Sequence, residues 1–281
     1  MNRIELSSYA KINLRLGVLR KRADGYHDIR TVFQKISLKD ELRIVITKRG
    51  IDIKCDHPQV PVNEDNLAYK AAQSMLHRYK VNHGVHIEIK KNIPVAAGLG
   101  GGSSNAAYTL MGMNQLFDLG LAKEELMKIG STIGADVPFF VFGSAALATG
   151  IGDRLETIEV NPKLWLLLIT PDIPISTAWA YRRLRMGLTN KHINITIPSC
   201  IDHLSEIIAM LSNDLEKVAI PRYPIIQKIK DELIHKGAKG SLMSGSGSTV
   251  FGIFFSEDEA KKAHSRLQTN SDWQVNICHT I

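Results

Sequence analysis

A glycine-rich loop that runs into a helix constrains this chain more than any other feature. Residues 94–107 read Pro-Val-Ala-Ala-Gly-Leu-Gly-Gly-Gly-Ser-Ser-Asn-Ala-Ala. Gly98, Gly100, Gly101 and Gly102 open backbone angles closed to other residues and place no side chain in the way, so consecutive amides can converge on an anion. Residues 105–117 have the apolar spacing of a helix whose positive N-terminal end faces the glycines. A strand predicted over 85–90 leads into the loop, and phosphate is the anion that suits it. No Gly-Lys-Ser/Thr closes the loop, so it is not a Walker A motif. Ser103 stands where the third glycine of the dinucleotide fingerprint belongs, and Asp118 closes a helix where that fingerprint needs the end of a strand. A nicotinamide oxidoreductase is therefore disfavoured.

Elsewhere the hydrophobic pattern is mixed. Ala10, Ile12, Leu14, Leu16 and Val18 alternate with Lys11, Asn13 and Arg15, which predicts a strand with one apolar and one polar face. A polar turn, Arg22-Ala-Asp-Gly25, precedes a second extended stretch over 29–36, and 42–47 with 51–55 read as a hairpin. Asp65-Asn66 caps a helix predicted over 67–79, and a further helix spans 123–133. Strand pattern resumes at 145–149. The apolar run 163–170 reads as a buried strand that opens the second half of the chain. Helices follow at 201–211 and 225–235, the latter stopped by Gly237. A second glycine/serine loop, Ser244-Gly-Ser-Gly-Ser248, leads into apolar residues 250–255, then a helix over 257–267 and a closing strand over 273–278. This order predicts an α+β architecture in two domains, 1–157 and 158–281.

Composition narrows the function. A chain of 281 residues with 44% hydrophobic content can bury full cores. No run of about 18 apolar residues predicts a membrane span, and the first residues lack the apolar core of a signal peptide, so a cytoplasmic protein is expected. Cys55, Cys200 and Cys278 are odd in number and far apart, which argues against a disulfide framework or a cysteine-based zinc site. The net charge of +7 favours anionic partners, but the basic residues are dispersed, so nucleotides are favoured over nucleic acid.

Three kinds of residue then stand out. Lys11 and Asn13 share one strand face and can point into a common cleft, although for an isolated Lys-x-Asn a solvated face is the usual explanation. Asp136, followed by Val137-Pro138-Phe139-Phe140, suits a shielded general base, and it also suits a helix cap. A phosphate loop, a lysine and an aspartate are the parts that phosphoryl transfer needs. A nucleotide-binding module without catalysis is the alternative from another class.

The motifs together resemble the GHMP kinases, named for galactokinase, homoserine kinase, mevalonate kinase and phosphomevalonate kinase. The likeness rests on Pro94-x-x-x-Gly-Leu-Gly-Gly-Gly-Ser-Ser-x-Ala-Ala, Ala10-Lys-Ile-Asn-Leu14, Arg22-Ala-Asp-Gly-Tyr-His27, Gly134-Ala-Asp-Val-Pro-Phe-Phe140 and Ser244-Gly-Ser-Gly-Ser248. They occur in the family's order, span nearly the whole chain and are similar to the branch whose acceptor alcohol carries a cytidine diphosphate. The resemblance implies a ribosomal S5-like N-terminal domain, a ferredoxin-like C-terminal domain, ATP as phosphoryl donor and Mg²⁺ with no assigned ligands beyond a contact from Ser104. It implies ATP contacts from Asn66, Pro94, Val95, Ala96, Ala97, Gly98, Leu99, Gly100, Gly101, Gly102, Ser103 and Ser104. Asp136 matches the family's base and Lys11 the cation that orients the reacting hydroxyl. Asn13, Tyr26, His27, Tyr181 and Ser246 match substrate contacts, the rings enclosing the cytosine, with Trp179 a rival to Tyr181. Asn105 stands where many relatives have aspartate. Neither nucleic acid nor membrane is expected as a partner, and the oligomeric state is left open.

Overall fold

The structure is a computed structural model, and it describes residues 2–184, 197–267 and 273–281. In chain order the elements are β1 (Arg3–Lys21), β2 (His27–Thr47), β3 (Ile51–Cys55), α1 (Leu67–Arg78), β4 (Gly84–Lys90), α2 (Gly101–Leu116), α3 (Lys123–Ser131), α4 (Val137–Phe142), β5 (Ala145–Thr149), β6 (Arg154–Thr157) and β7 (Glu159–Val160). They continue with β8 (Trp165–Pro171), α5 (Thr177–Arg183), β9 (Cys200–Ile201), α6 (Leu204–Met210), β10 (Ser212–Asn213), α7 (Glu216–Arg222), α8 (Ile225–His235), β11 (Gly240–Met243), β12 (Val250–Phe254), α9 (Glu257–Leu267) and β13 (Trp273–His279). The chain divides into two compact units that interleave in sequence. One comprises Met1–Ala10, Lys39–Val95 and Gly100–Gly143, the other Lys11–Leu38, Ala96–Leu99 and Ser144–Ile281. β1 and β2 therefore each contribute residues to both.

In the first unit, the C-terminal part of β2 pairs antiparallel with β4, from Glu41↔Lys90 to Thr47↔Gly84, and β4 pairs parallel with β3. The hairpin expected from 42–47 and 51–55 is thus split, with β4 lying between its two arms. Gly84 makes this insertion feasible, because a Cβ there would stand 2.3 Å from the backbone of Arg49 and Gly50. The choice of centre follows burial. Val85, Ile87 and Ile89 of β4 are buried, whereas β3 leaves Asp52 and Lys54 exposed as an edge strand should. Helices α1 and α2 pack together and α2 packs on α4, burying Ala71, Ala72 and Met75 with Ala106, Leu110 and Met113. Small residues let these helices approach closely.

The second unit is organised on a four-stranded antiparallel sheet in the order β11-β12-β8-β13. With α8 between β8 and β11, and α9 between β12 and β13, this is the β-α-β-β-α-β arrangement of a ferredoxin-like fold. The interior position of β8 explains its unbroken apolar run, since Leu166, Leu167, Leu168 and Ile169 are all fully buried. In the same unit, β1 pairs parallel with β10 at Arg15↔Ser212 and Leu16↔Asn213. The N-terminal part of β2 pairs with β5.

Candidate active site

The polar face of β1 is not solvated. Lys11, Asn13 and Arg15 are each less than 5% exposed, nearly as buried as Ile12 and Leu14 opposite them. Burying three polar side chains is unfavourable unless their hydrogen bonds are made. The Lys11 ammonium donates to Asn13 Oδ1 (2.7 Å), the Asn13 amide donates to Thr31 Oγ1 (2.7 Å), and the Thr31 hydroxyl donates to the Arg15 carbonyl (2.6 Å). Lys11 also lies 5.1 Å from the centre of the Phe33 ring, within cation–π range. The lysine side chain is therefore held in one position.

The glycine loop meets this strand through backbone contacts within the second unit. Lys11 N–H donates to the Leu99 carbonyl (3.0 Å), Thr249 N–H to the Ala97 carbonyl (3.2 Å), and Ser244 Oγ to the Gly98 carbonyl (3.0 Å). Gly98 has φ +80°, and a Cβ on it would lie 2.0 Å from the Ser244 carbonyl oxygen. The two glycine loops interlock there, at a spacing that only glycine permits. Ser246 Oγ shares a hydrogen bond with Thr177 Oγ1 (2.8 Å) at the start of α5.

The same helix α5 carries Tyr181, whose ring lies 5.2 Å from that of His27. Trp179 packs edge-on against Tyr223, and Trp179, Tyr181 and Tyr223 are all partly buried against the same hydrophobic core. The turn before His27 is braced by Arg22, which pairs with Asp24 and Asp28, and by Arg20 with Asp28. Asp24 Oδ1 accepts from Tyr26 N–H (3.0 Å), and Tyr26 remains 59% exposed. Core packing therefore does not account for Tyr26. Burial, reinforced by the charge of Lys21, holds His27 below the ordinary imidazole range. Neutral near pH 7, it can both donate and accept at a base edge.

In the first unit, α2 begins earlier than the sequence pattern indicates. Gly100 caps it in a left-handed conformation, and Gly101 and Gly102 form its first turn, so the glycines' amides belong to the helix terminus itself. Ser104 is fully buried, donates to the Tyr9 carbonyl (2.6 Å) and shares a hydrogen bond with Ser8 Oγ (2.7 Å). That hydroxyl does not fit the Mg²⁺ contact the sequence suggested. Ser103, half-buried, stays out of those bonds and faces the Gly134 segment, where a Cβ would stand 3.8 Å from Ser103 Oγ. Pro94 and Val95 lead into the loop. Asn66 caps α1, accepting from Ala68 N–H (2.8 Å) and donating to the Pro61 carbonyl (2.7 Å). Its side chain is committed to the fold.

Asp136 occupies the N-cap position of α4, yet its side chain makes no capping hydrogen bond, so capping alone does not explain it. Behind it Val137, Phe139 and Phe140 are fully buried, and Pro138 stiffens the first turn. Among the described residues, no group of three or more His, Cys, Asp or Glu gathers as a metal site.

Sequence reasoning did not find the network under α2. Asp40, fully buried, accepts from Asn92 N–H and Ile93 N–H (both 2.8 Å), from the Asn105 amide (2.9 Å) and from the Lys91 ammonium. Asn105 also donates to Ser8 Oγ (3.0 Å). An aspartate at 105 would offer Asp40 a second carboxylate in place of a donor. The pair 40/91 is separated by 51 residues, and neither lies in a recognisable motif.

The model of the GHMP kinases N terminal domain matches residues 66–144, and that of the GHMP kinases C terminal matches residues 199–271. Among curated proteins, the chain is 50% identical over 276 residues to the 4-diphosphocytidyl-2-C-methyl-D-erythritol kinase of Geobacter metallireducens, covering 98% of both chains. It is 49% identical to that of Geotalea daltonii over the full length of both. A crystal structure of 4-(cytidine 5'-diphospho)-2C-methyl-D-erythritol kinase aligns over 98% of this chain and 99% of its own, with a TM-score of 0.79 and 32% identity. A homoserine kinase from Cytophaga hutchinsonii shares the fold, with a TM-score of 0.73 at 17% identity, over 100% of this chain and 95% of its own.

Proposed function

Because the chain belongs to the 4-diphosphocytidyl-2-C-methyl-D-erythritol kinases of the GHMP family, we propose that Asp136 and Lys11 carry its chemistry and that Tyr26, His27 and Tyr181 select its substrate. The enzyme transfers a phosphoryl group from ATP to the 2-hydroxyl of 4-diphosphocytidyl-2-C-methyl-D-erythritol in non-mevalonate isoprenoid-precursor synthesis. Phosphoryl transfer asks a protein chiefly for position and for charge placed where charge develops. In this reading the amides of Gly98 to Ser103 hold the ATP phosphates at the start of α2. Asp136 takes the proton of the 2-hydroxyl as its oxygen attacks the γ-phosphorus. Lys11, held by Asn13, orients that oxygen and offsets its developing negative charge. Bound together with ATP, Mg²⁺ would supply positive charge to the phosphoryl group in transfer, with no residue of this chain assigned to hold it. Functionally the chain then divides into a nucleotide domain, 1–157, and a second domain, 158–281. In this reading the enzyme works in the cytoplasm.

The observation that carries the substrate assignment is the grouping of rings in the second unit. His27 and Tyr181 come from segments 154 positions apart and lie in ring contact, while adjacent Tyr26 is exposed on a braced turn. A cytosine stacks on such rings and finds a neutral imidazole at its edge. The test is steady-state kinetics of Tyr26→Ala and Tyr181→Ala. Both should raise KM for the cytidylyl substrate at least tenfold while leaving KM for ATP within twofold. Equal changes in both constants would remove the cytosine assignment.

A further inference from the structure

We infer that Asn213 is a positioning residue for phosphoryl transfer, setting the second glycine loop against the first and against the Lys11–Asn13 strand. It stands outside every glycine motif, on the two-residue strand β10, and is 5% exposed. Its amide donates to two carbonyls of the second loop, Met243 (2.8 Å) and Gly245 (2.7 Å), while its Oδ1 accepts from Leu215 N–H (2.9 Å). One planar amide thereby fixes the carbonyls on either side of Ser244. Ser244 is the residue that interlocks with Gly98, through its hydroxyl to the Gly98 carbonyl and through the carbonyl that leaves no room for a Cβ there.

The other end of the device is β1. Asn213 pairs with Leu16 in the β10–β1 ladder, three residues from Asn13, and a Cβ built on Gly245 would lie 3.5 Å from Asn13 Oδ1. The following residues extend the bracket. Asp214 Oδ2 accepts from Val18 N–H of β1 (2.9 Å), and Glu216 Oε1 accepts from Met243 N–H (2.8 Å) while pairing with Lys230. The Asn213-Asp214-Leu215-Glu216 run thus ties the lysine-bearing strand to the loop that locks Gly98. Since a shift of about 1 Å at a reacting centre can cost on the order of 10²-fold in rate, such a tie acts on kcat and not on recognition of the cytosine.

This inference rests on the kinase reading, so the wild-type enzyme is assayed first with Mg-ATP and 4-diphosphocytidyl-2-C-methyl-D-erythritol. Absence of wild-type turnover defeats the kinase reading itself. With turnover established, Asn213→Ala should lower kcat at least tenfold while KM for the cytidylyl substrate stays within threefold. Ala219→Gly, a buried helix substitution in the same unit, controls for lost stability and should keep kcat within twofold. Asn213→Asp separates positioning from scaffolding: it preserves size and the bond to Leu215 N–H but loses both donors to the loop. A positioning role requires kcat of Asn213→Asp to fall as far as that of Asn213→Ala, whereas a wild-type kcat would overturn the inference. Should both Asn213 variants fail to fold, Ser244→Ala removes the bond to the Gly98 carbonyl, and an unchanged kcat there overturns it equally.

Discussion

Substituting Gly98 by alanine perturbs the first glycine loop in two separable ways. The backbone at φ +80° is left-handed, where a Cβ costs about 1–2 kcal/mol through contact with its own chain. The added carbon would also stand 2.0 Å from the Ser244 carbonyl oxygen, whereas ordinary van der Waals contact is 3.4–4 Å. The loops must therefore part by more than about 1 Å, and a displacement of about 1 Å at a reacting centre costs on the order of 10²-fold in rate. At 1.36 kcal/mol per tenfold, that is about 2.7 kcal/mol of transition-state stabilisation. Gly237, at φ +102° with nothing within 4 Å of its built Cβ, supplies the control, because alanine there incurs backbone strain alone. Thermal unfolding and steady-state kinetics should show Gly237→Ala destabilised by about 1–2 kcal/mol and Gly98→Ala by more, with kcat reduced about 10²-fold only in Gly98→Ala. If Gly98→Ala kept kcat within threefold of Gly237→Ala, the interlock of the two loops would have no role in catalysis.

Other expectations follow from the same structure. Asp136→Ala should abolish phosphoryl transfer while leaving ATP affinity within a few-fold, measured by calorimetry; near-normal turnover would remove Asp136 as the base. Lys91→Met leaves the Asp40 carboxylate buried without its cation and should destabilise the chain by about 3–5 kcal/mol. Adding Asp40→Asn to it should cost less than the sum of the two single changes, and strict additivity in thermal unfolding would contradict a coupled pair. Because burial lowers the His27 pKa, the folded state binds fewer protons than the unfolded state just below the ordinary value of about 6.5. Its contribution to stability is present above that pH and lost as pH falls through the lowered folded value. KM for the cytidylyl substrate should rise over that acid range, and His27→Gln should flatten the profile.

What the sequence disclosed depended on whether the controlling interaction was local. The glycine-rich loop was legible because unusual backbone angles call for glycine. Helices α8 and α9 occupy 225–235 and 257–267 as their periodicity indicates. β2 misled because the polar residues between its two apolar stretches resemble a break. The strand in fact runs unbroken from His27 to Thr47, and Asp40 within it is a buried acceptor for four donors brought by residues 91–93 and 105. The hairpin of 42–47 with 51–55 misled for a related reason: only the chain's return through α1 supplies the strand that separates its arms. Lys11 and Asn13 were visible as an alternating pair, but their burial, which distinguishes a built site from a wet strand face, depends on residues remote in sequence. The His27–Tyr181 contact and the Asn213 clamp are likewise long-range. Two glycine motifs mark where backbones approach, and Asn213, which bonds the second of them, lies outside both.

The most direct measurement is ADP release by the purified chain with Mg-ATP, comparing 4-diphosphocytidyl-2-C-methyl-D-erythritol with methylerythritol phosphate, homoserine and mevalonate. Turnover confined to the cytidylyl alcohol is the predicted result. Comparable turnover of an acceptor lacking a base would contradict it and leave the Tyr26, His27 and Tyr181 rings without a substrate to bind.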